Sequence, residues 1–446
     1  MSMNKNKSRI ERDWQSRVTR FLSGETTSEE LYHEAQSLVD MIKQYVQTQS
    51  CFYSNHLESL RGSSSSMKGL DKLPYTTKSD LRNVGVEVCS IPLDKVAVYY
   101  ETTGTTGKST PCPRAAIDID TSGAYVKHAM QSIYESTFGT KEAMTAIMGP
   151  SELYAFGDTY GEVCRELGIP YVRLWPESPR VGLDKASELI LALNVKVLVC
   201  SPAVALALAR LYLSNGFEPR NSTVKQVLVL GELCTKEMLE NIAFIWGANC
   251  THGLYGSQEA HAVATGCPNG NLHVSETNYI TELLPINDLP LDMGELCLTM
   301  LVPGAKPLIR YRTGDVVSFL SKSKCNCGHP GRVLKVHGRV DDILSVGGKA
   351  VPPSEVESKI LGIIEGVLNY QVELRETDGG IEWANVLLVL SHKQYEHETV
   401  RSQLQNSFGI EIKLTILDEL DPKTETGAYV SWKHARIRDL RGSGNG

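Results

Sequence analysis

The first 60 residues alternate polar and apolar positions with the spacing of amphipathic helices. Thr27 and Glu30 match a capping box, in which two side chains bond backbone N–H groups at the start of a helix. Apolar residues then recur three and four positions apart, which predicts a helix with one face packed on the protein. These residues are Leu31, Ala35, Leu38, Val39 and Ile42. A Ser-rich break at 61–66 precedes a second predicted helix start within 73–82.

Between about 115 and 250, helical segments alternate with short apolar runs. Three of these runs, at 143–148, 195–200 and 224–230, predict buried parallel strands. Each run ends in small or polar residues, and ligands of such sheets bind beyond the carboxyl ends of the strands. We therefore expect the strand ends to line a site: Gly149-Pro150, Ser201-Pro202 and Gly231-Glu232.

The pattern changes twice more towards the C-terminus. Shorter β-like runs from about 280 to 337, such as 294–301, predict a small antiparallel, β-barrel-like unit. After Gly338, a helix start at Pro352-Pro353-Ser354, a helix near 395–406 and three strands predict a small α+β unit. These strands are expected at 370–375, 383–391 and 410–417. The predicted fold is α/β, with a large domain at 1–337 and a small one at 338–446.

Composition narrows the class of protein. The length of 446 residues favours two to four structural units, and 41% hydrophobic with 22% charged residues is typical of soluble globular chains. No apolar run approaches the roughly 18 residues of a membrane span, and the polar, basic N-terminus lacks a secretory signal, so we expect a cytoplasmic protein. A net charge of −7 provides no broad basic surface for nucleic acid. Eleven scattered cysteines fit reduced thiols and a metal better than a disulfide framework.

A Thr- and Gly-rich loop at 102–108 has the residue types that bind phosphate. Glycines allow the backbone to approach an anion, while hydroxyls, main-chain N–H groups and a lysine can bind its oxygens. Only two residues separate the two glycines, which excludes a Walker loop, and the dinucleotide fingerprint is absent as well. A loop that grips the β- and γ-phosphates of ATP remains, with an ordinary polar loop as the alternative. Its residues are Thr102, Thr103, Gly104, Thr105, Thr106, Gly107 and Lys108.

Two further clusters suit nucleotide binding. In 253–259, Tyr255 beside a glycine can stack on adenine and Glu259 can hold magnesium on the phosphates, whereas the alternative is a simple turn. In 311–315, Asp315 can accept hydrogen bonds from both ribose hydroxyls, and the alternative there is an exposed turn. The charged segment at 338–349 fits a hinge, since it coincides with the predicted domain boundary.

Taken in order, these clusters resemble the acyl-adenylate-forming superfamily, and within it the phenylacetate-CoA ligase-like group. The matching segments are 73–74 with 77–82, 102–108, 255–259, 307–315 and 338–342. The resemblance implies a large adenylation domain and a small, mobile C-terminal lid. It also implies roles for single residues: Tyr255 on adenine with Gly256 and Ser257 beside it, Glu259 near magnesium, Asp315 and Arg339 at the ribose, and Asp341 as the hinge.

The same comparison indicates a metal site. Cys267 and His273 stand six positions apart, and Cys325 and Cys327 follow some fifty residues later. Three thiolates and one imidazole suit tetrahedral zinc, and some members of the group carry a structural zinc at similar positions. A closed set of ligands leaves no position for a catalytic water. Unpaired structural cysteines are the alternative.

One departure from the group lies near the C-terminus. The group has Gly-Lys in a polar turn, and that lysine stabilises charge during adenylation, but here Gly427 is followed by Ala428. Loss of one such group typically costs on the order of a hundredfold in rate. Three explanations stay open: a deliberate substitution, a replacement lysine at Lys423 or Lys433, or a chain without efficient adenylation.

The resemblance implies an ATP- and magnesium-dependent ligase that forms an acyl-AMP and then a thioester with coenzyme A. We expect the acid between 151–158, Gly231-Glu232 and Gly253, where Tyr154 and Phe156 favour an aromatic acid unless both are core residues. Transfer to an amine or a carrier-protein thiol, and nucleotide binding without catalysis, stay open as alternatives. Related ligases are often dimers, so a homodimer is a further expectation.

Overall fold

The computed structural model describes residues 9–57, 67–102, 108–321, 325–377, 379–392, 395–420 and 435–441. Five residues of the predicted phosphate loop, 103–107, lie outside the described residues, as do Lys423, Ala428 and Lys433. Within the described ranges, no helix is long and apolar enough to cross a membrane.

Helices and strands alternate along the described chain, which confirms the predicted α/β class. The α-helices are α1 Arg9–Leu22, α2 Ser28–Gln49, α3 Cys51–His56, α4 Lys78–Val84, α5 Ala116–Phe138, α6 Ala155–Leu167, α7 Gly182–Ala192, α8 Pro202–Ser214, α9 Lys236–Trp246, α10 Pro353–Leu361 and α11 His397–Phe408. The strands are β1 Val98–Glu101, β2 Pro111–Arg114, β3 Thr145–Ile147, β4 Tyr171–Arg173, β5 Val197–Cys200, β6 Gln226–Val229, β7 Asn249–His252, β8 Leu254–Ser257, β9 His261–Gly266, β10 Leu272–Val274, β11 Tyr279–Pro285, β12 Met293–Met300, β13 Tyr311–Leu320, β14 Val333–Arg339, β15 Leu344–Val346, β16 Lys349–Val351, β17 Val367–Glu376, β18 Glu382–Leu390, β19 Glu411–Ile416 and β20 Ile437–Asp439.

The predicted N-terminal capping box is present. The backbone N–H of Thr27 donates to Oε2 of Glu30 at 2.8 Å, and the N–H of Glu30 donates to Oγ1 of Thr27 at 3.1 Å. Behind this cap, Ala35, Val39 and Ile42 of α2 are buried. The helix and its buried face are therefore confirmed.

A parallel sheet of five strands forms the centre of the first half, in the order β4-β3-β5-β6-β7. The three predicted strands are confirmed, but each begins two residues later than the apolar run that indicated it. The first residue of each run, Ala143, Val195 and Val224, is buried without belonging to a strand. Apolar runs report burial rather than hydrogen bonding, which explains the difference.

The antiparallel unit is a seven-stranded sheet in the order β11-β12-β13-β14-β10-β9-β8. It begins at Leu254, earlier than the pattern indicated, so Tyr255 lies in a strand rather than in a turn. Asp315 likewise lies within β13 and not in an exposed turn. The segment before α4 joins this sheet: the N–H of Thr76 donates to the carbonyl of Arg310 at 3.0 Å, and the N–H of Arg312 donates to the carbonyl of Thr76 at 2.9 Å.

The C-terminal unit contains a four-stranded sheet in the order β19-β18-β17-β20, with α10 and α11. The predicted strands and helix are confirmed, with ends shifted by one to three residues. Its apolar core is continuous with that of the central sheet. Asn241 of α9 donates to the carbonyl of Val367 at 2.8 Å and accepts the N–H of Val367 at 2.9 Å. The domain boundary at 337/338 stays a prediction.

Candidate active site

A cleft lies where α4 meets the seven-stranded sheet. Five residues from distant parts of the chain line it: Lys78 at the start of α4, Tyr255 in β8, Glu259 after β8, Asp315 in β13 and Arg339 at the end of β14. Strands β13 and β14 pair with Asp315 directly opposite Arg339. The tertiary structure therefore gathers four of the predicted nucleotide-site residues in one cleft.

The Asp315 carboxylate is held by two neighbours. The Tyr255 hydroxyl donates to its Oδ2 at 2.7 Å, and Nε of Arg339 lies 3.2 Å from its Oδ1. The negative charge of Asp315 raises the pKa of Arg339. Gly314, with a φ of +75°, supplies the left-handed backbone that β13 needs at this point, and a Cβ there would lie 3.2 Å from the Arg339 guanidinium. The carboxylate is thus a preorganised acceptor at the wall of the cleft.

Glu259 and Lys78 form an ion pair at the same cleft. Nζ of Lys78 lies 3.3 Å from Oε1 of Glu259, whose side chain is 4% exposed. Apart from Lys78, this oxygen has no hydrogen-bond partner among the described residues. Burial alone would raise the pKa of Glu259, but the ammonium groups of Lys78 and Lys306 outweigh it and lower that pKa. A buried, ionised carboxylate with an unsatisfied oxygen has the chemistry of a magnesium ligand.

Strand β8, which precedes Glu259, packs closely against β9. At Gly256, an added Cβ would lie 1.8 Å from the carbonyl oxygen of His261, so β8 and β9 approach too closely for any side chain. The Ser257 hydroxyl accepts the N–H of Ala260 at 3.1 Å. Only glycine fits this bulge, which explains the sequence pattern around Tyr255.

The two described ends of the predicted phosphate loop lie side by side. The N–H of Thr110 donates to Oγ1 of Thr102 at 2.9 Å, and the Ser109 hydroxyl donates to Glu101 at 2.7 Å. Nε2 of Gln258 lies 3.4 Å from the carbonyl oxygen of Glu101, so the loop flank is joined to the segment that carries Glu259. Lys108 is exposed at the end of the loop. The described flanks of the predicted loop therefore lie beside the nucleotide cleft.

The predicted acid-binding segments meet at the carboxyl edge of the central sheet. The N–H of Gly253 donates to the carbonyl of Val229 at 2.8 Å, which places it beside the end of β6. Phe156 packs against Gly149 at the end of β3, where an added Cβ would lie 2.5 Å from its ring. Tyr154 is half-buried at the amino end of α6, where the N–H of Ala155 donates to Gln258 at 3.3 Å.

Glu232 lies at the same edge of the sheet, and its place in the acid site stays a prediction. Gly231, with a φ of +90°, turns the chain after β6. Burial raises the pKa of Glu232, while the Ser201 hydroxyl and the charge of Arg436 in the C-terminal unit act in the opposite direction. The carboxylate of Glu232 therefore lies between the strand end at Ser201 and the charge of Arg436.

Comparisons with known proteins agree with the motifs. No protein-family model matches the chain. A phenylacetate-coenzyme A ligase from Thermus thermophilus is 25% identical over 433 residues, which cover 89% of this chain and 94% of the relative. Another, from Aromatoleum evansii, is 28% identical over 390 residues, or 84% of this chain and 78% of the relative. The predicted resemblance to phenylacetate-CoA ligases is confirmed.

A solved structure has a similar fold. A 2-hydroxyisobutyryl-CoA ligase in the postadenylation state, in complex with 2-HIB-AMP, superimposes with a TM-score of 0.74. The match covers 93% of this chain and 90% of that chain at 16% sequence identity. At this level of identity the likeness concerns the fold. The α/β architecture of this chain is therefore similar to that of the 2-hydroxyisobutyryl-CoA ligase.

The roles of three residues around the site were not predicted from the sequence. Lys78 lies in a motif that was recognised, but the motif alone did not indicate its pairing with Glu259. Lys306 is 2% exposed and donates to the carbonyl of Pro111 at 2.8 Å, beside the end of the phosphate loop. A lysine in the otherwise apolar run before the ribose segment was a usable signal. Tyr160 gave no signal, since a tyrosine on a helix is usually part of the core.

The four predicted metal ligands come together in a separate cluster. One donor atom from each of Cys267, His273, Cys325 and Cys327 lies within 4.8 Å of all the others. Sγ of Cys267 lies 3.8 Å from Sγ of Cys325, and Sγ of Cys327 lies 3.2 Å from Nε2 of His273. A tetrahedron with zinc–sulfur bonds of about 2.3 Å has sulfur–sulfur edges of roughly 3.8 Å. The described donor set therefore fits zinc.

The imidazole is oriented for this role. Nδ1 of His273 lies 2.8 Å from the carbonyl oxygen of Gly331, so it carries the proton and leaves Nε2 free towards the three sulfur atoms. Metal-binding histidines usually have such a backbone partner on the second nitrogen. The His329 ring stacks on His273 at 4.6 Å between centroids and limits its rotation. A bound zinc would join segments that are some fifty residues apart in the sequence.

We expect the purified chain to contain one zinc per molecule. Cys325→Ser should remove most of this zinc, and it should lower the thermal midpoint of unfolding because a structural zinc stabilises the folded state. Metal analysis and thermal unfolding measure both effects. Cys51→Ser is the control, since Cys51 is exposed and outside the cluster. Zinc content that is equal in wild type and Cys325→Ser would contradict the assignment.

Proposed function

We propose that the chain is an ATP- and magnesium-dependent acid–thiol ligase, which forms an acyl-AMP and then a coenzyme A thioester. The observation that carries this proposal is the cleft in which Tyr255, Glu259, Asp315 and Arg339 converge beside the flanks of the Thr/Gly loop. The names of the similar proteins, phenylacetate-coenzyme A ligases, support the same reaction.

The geometry supports distinct roles in the first step. Asp315 would accept the two ribose hydroxyls, with Arg339 holding its carboxylate in place, and the Tyr255 ring would lie against the adenine. Glu259 would hold the magnesium ion that neutralises charge on the phosphates. The loop at 102–108 would bind the β- and γ-phosphates. Attack of the acid carboxylate on the α-phosphate then depends on position and on charge stabilisation.

The second step would use the C-terminal unit. We propose residues 1–337 as the adenylation domain and 338–446 as the lid, with the hinge at Asp341, which lies in a short 3-10 turn directly after β14. Rotation there would exchange the lid surface that faces the acyl-AMP, so that a thiol could attack its carbonyl. The lid residue at the usual lysine position is Ala428, with Lys433 and Lys423 as candidates for its replacement.

Phe156, and Tyr154 near the loop flank, support an aryl or arylacetic acid as substrate. An amine or a carrier-protein thiol is the alternative acceptor. A preformed acyl-AMP supplied with coenzyme A, an amine or a carrier protein distinguishes these acceptors. We also expect a homodimer. Size-exclusion chromatography with light scattering would test this.

With at least one aryl acid, we expect the wild type to release pyrophosphate from ATP slowly. Ala428→Lys should release it about a hundredfold faster, because the lysine stabilises charge at the α-phosphate. A pyrophosphate assay over aryl and alkyl acids measures this. Ala428→Met is the control, since it adds similar volume without charge. If no acid gives pyrophosphate with either protein, the chain is a nucleotide-binding protein and the proposal fails.

A further inference from the structure

Tyr160, on α6, carries a buried hydroxyl that has no partner among the described residues. The residue is 1% exposed, and its hydroxyl oxygen makes no hydrogen bond with any described residue. Leaving a hydroxyl unpaired in the interior reduces the stability of the fold, whereas phenylalanine would fill the same space without that cost. A bound ligand could supply the hydrogen bond that the hydroxyl lacks.

The Tyr160 hydroxyl lies at the carboxyl edge of the central sheet. An added Cβ at Gly253, just after β7, would lie 2.4 Å from the hydroxyl oxygen and 3.6 Å from Cδ2 of Leu230, just after β6. Any side chain at position 253 would therefore clash with the hydroxyl. The absence of a side chain at Gly253 thus lets the hydroxyl lie against the backbone at the strand ends where we place the acid.

The surroundings of Tyr160 are otherwise apolar. The Phe156 ring, one turn earlier on α6, lies 6.0 Å from the Tyr160 ring between centroids. Leu228, Leu230 and Ala262 belong to the same apolar cluster. Burial raises the pKa of Tyr160, so the phenol keeps its proton at neutral pH. A single polar atom in an apolar wall is how small-molecule sites fix the orientation of a ligand.

The positions of Tyr154 and Tyr160 indicate which end of the acid lies near the Tyr160 hydroxyl. Tyr154 is half-buried and close enough to Glu101, at the loop flank, for that carboxylate to raise its pKa together with burial. Tyr160 lies within the core cluster of the central sheet. The reacting carboxylate belongs near the phosphate loop, so the far end of the acid lies towards Tyr160.

We propose that Tyr160 is a specificity-determining residue whose hydroxyl hydrogen-bonds a polar substituent, such as a hydroxyl, amino or carbonyl group, at the end of the acid remote from its carboxylate. This inference rests on the proposed function, because it assumes that an acid binds at the strand ends. It narrows the substrate class from aryl acids in general to acids with a polar distal group.

The test uses pairs of aryl and alkyl acids that differ by one distal hydroxyl, amino or carbonyl group. Binding to the full chain is measured by calorimetry in the presence of a non-hydrolysable ATP analogue, and pyrophosphate release is measured in parallel. We expect the wild type to prefer the polar member of at least one pair by about 10- to 100-fold, since an unpaired site hydroxyl penalises the apolar member. Tyr160→Phe should abolish that preference.

Tyr134→Phe is the matched control. Tyr134 belongs to the same apolar cluster, but its hydroxyl is hydrogen-bonded to Thr145 at the start of β3. We expect Tyr134→Phe to lower the thermal midpoint and to leave the acid preference unchanged. Tyr160→Phe should have an equal or higher thermal midpoint than the wild type, because it removes an unpaired buried group.

The outcomes separate this inference from the proposed function. A preference in binding that Tyr160→Phe removes supports the inference, even if no acid releases pyrophosphate and the ligase proposal fails. Equal binding of both members of every pair, no acid binding at all, or a preference that survives in Tyr160→Phe would overturn it. A thermal midpoint that falls in Tyr160→Phe as it does in Tyr134→Phe would also overturn it, since the hydroxyl would then have a structural partner.

Discussion

Replacing Asp315 with asparagine should lower kcat/KM for ATP in pyrophosphate release by roughly 30- to 1,000-fold. The substitution exchanges charge-assisted hydrogen bonds to the ribose for neutral ones, at a cost of about 2–4 kcal/mol for the two hydroxyls. It also leaves the Arg339 guanidinium, 3.2 Å from Asp315 in the wild type, without its counter-charge. The assay is steady-state pyrophosphate release in the Ala428→Lys background with the best acid of the screen.

The ribose contact itself is tested with 2′-deoxy-ATP. The wild type should lose activity with this analogue, whereas Asp315→Asn should lose much less, because the partner of the 2′-hydroxyl is already weakened. Asp292→Asn is the control, since Asp292 is exposed in the turn before β12. An Asp315→Asn protein that matches Asp292→Asn in both assays would show that Asp315 does not bind the ribose.

Replacing Glu259 with glutamine should slow pyrophosphate release by about 100-fold or more and raise the magnesium concentration needed for half-maximal rate. Magnesium prefers ionised carboxylate oxygens, and the neutral amide is a much weaker ligand for it. The substitution conserves shape, so the buried position should still be filled. A magnesium titration of the initial rate measures the effect, and an unchanged magnesium requirement would remove Glu259 from the metal site.

The neighbouring Lys78 provides an independent test through pH. Its ammonium group helps to lower the pKa of Glu259, so Lys78→Met should raise that pKa. The ionised form is lost as pH falls through the pKa, and the acidic limb of the pH–rate profile should therefore move to higher pH. Lys95→Met is the control, because Lys95 is an exposed lysine outside the cleft. An acidic limb that stays in place in Lys78→Met would argue against ionised Glu259 as the required group.

Much of the fold could be predicted from local patterns. Thr27 and Glu30 form the expected capping box because both partners lie within one turn of helix. The strands before Gly149 and Gly231 were predicted because parallel strands buried on both faces are apolar throughout. Strand order was not predictable, since pairing between β10 and β14 joins residues some sixty positions apart and leaves no local trace.

The candidate site was predictable where its chemistry is concentrated in short motifs. Segments around Tyr255 and Asp315 have unusual glycines beside chemically useful side chains, and the structure places both residues in one cleft. Lys306 and Tyr160 were not predicted, because their significance lies in burial and in the partners they have or lack. Burial depends on elements that are remote in sequence. Tyr160 therefore does not differ locally from an ordinary tyrosine, and the apolar run around Lys306 is the one local signal for that residue.

By itself, the sequence determined most of the helices and strands and the nucleotide motifs, because each depends on residues that are close together in the chain. The four metal-binding residues lie in two distant segments, and the resemblance to a known family indicated them. The tertiary structure decided which motifs share a cleft, the ion pair of Glu259 with Lys78, and the unpaired hydroxyl of Tyr160. These properties arise only when distant segments exclude water from one another. Removal from water raises the free energy of a charge or a hydroxyl that has no partner. In the unfolded chain both groups are hydrated, so this cost is absent.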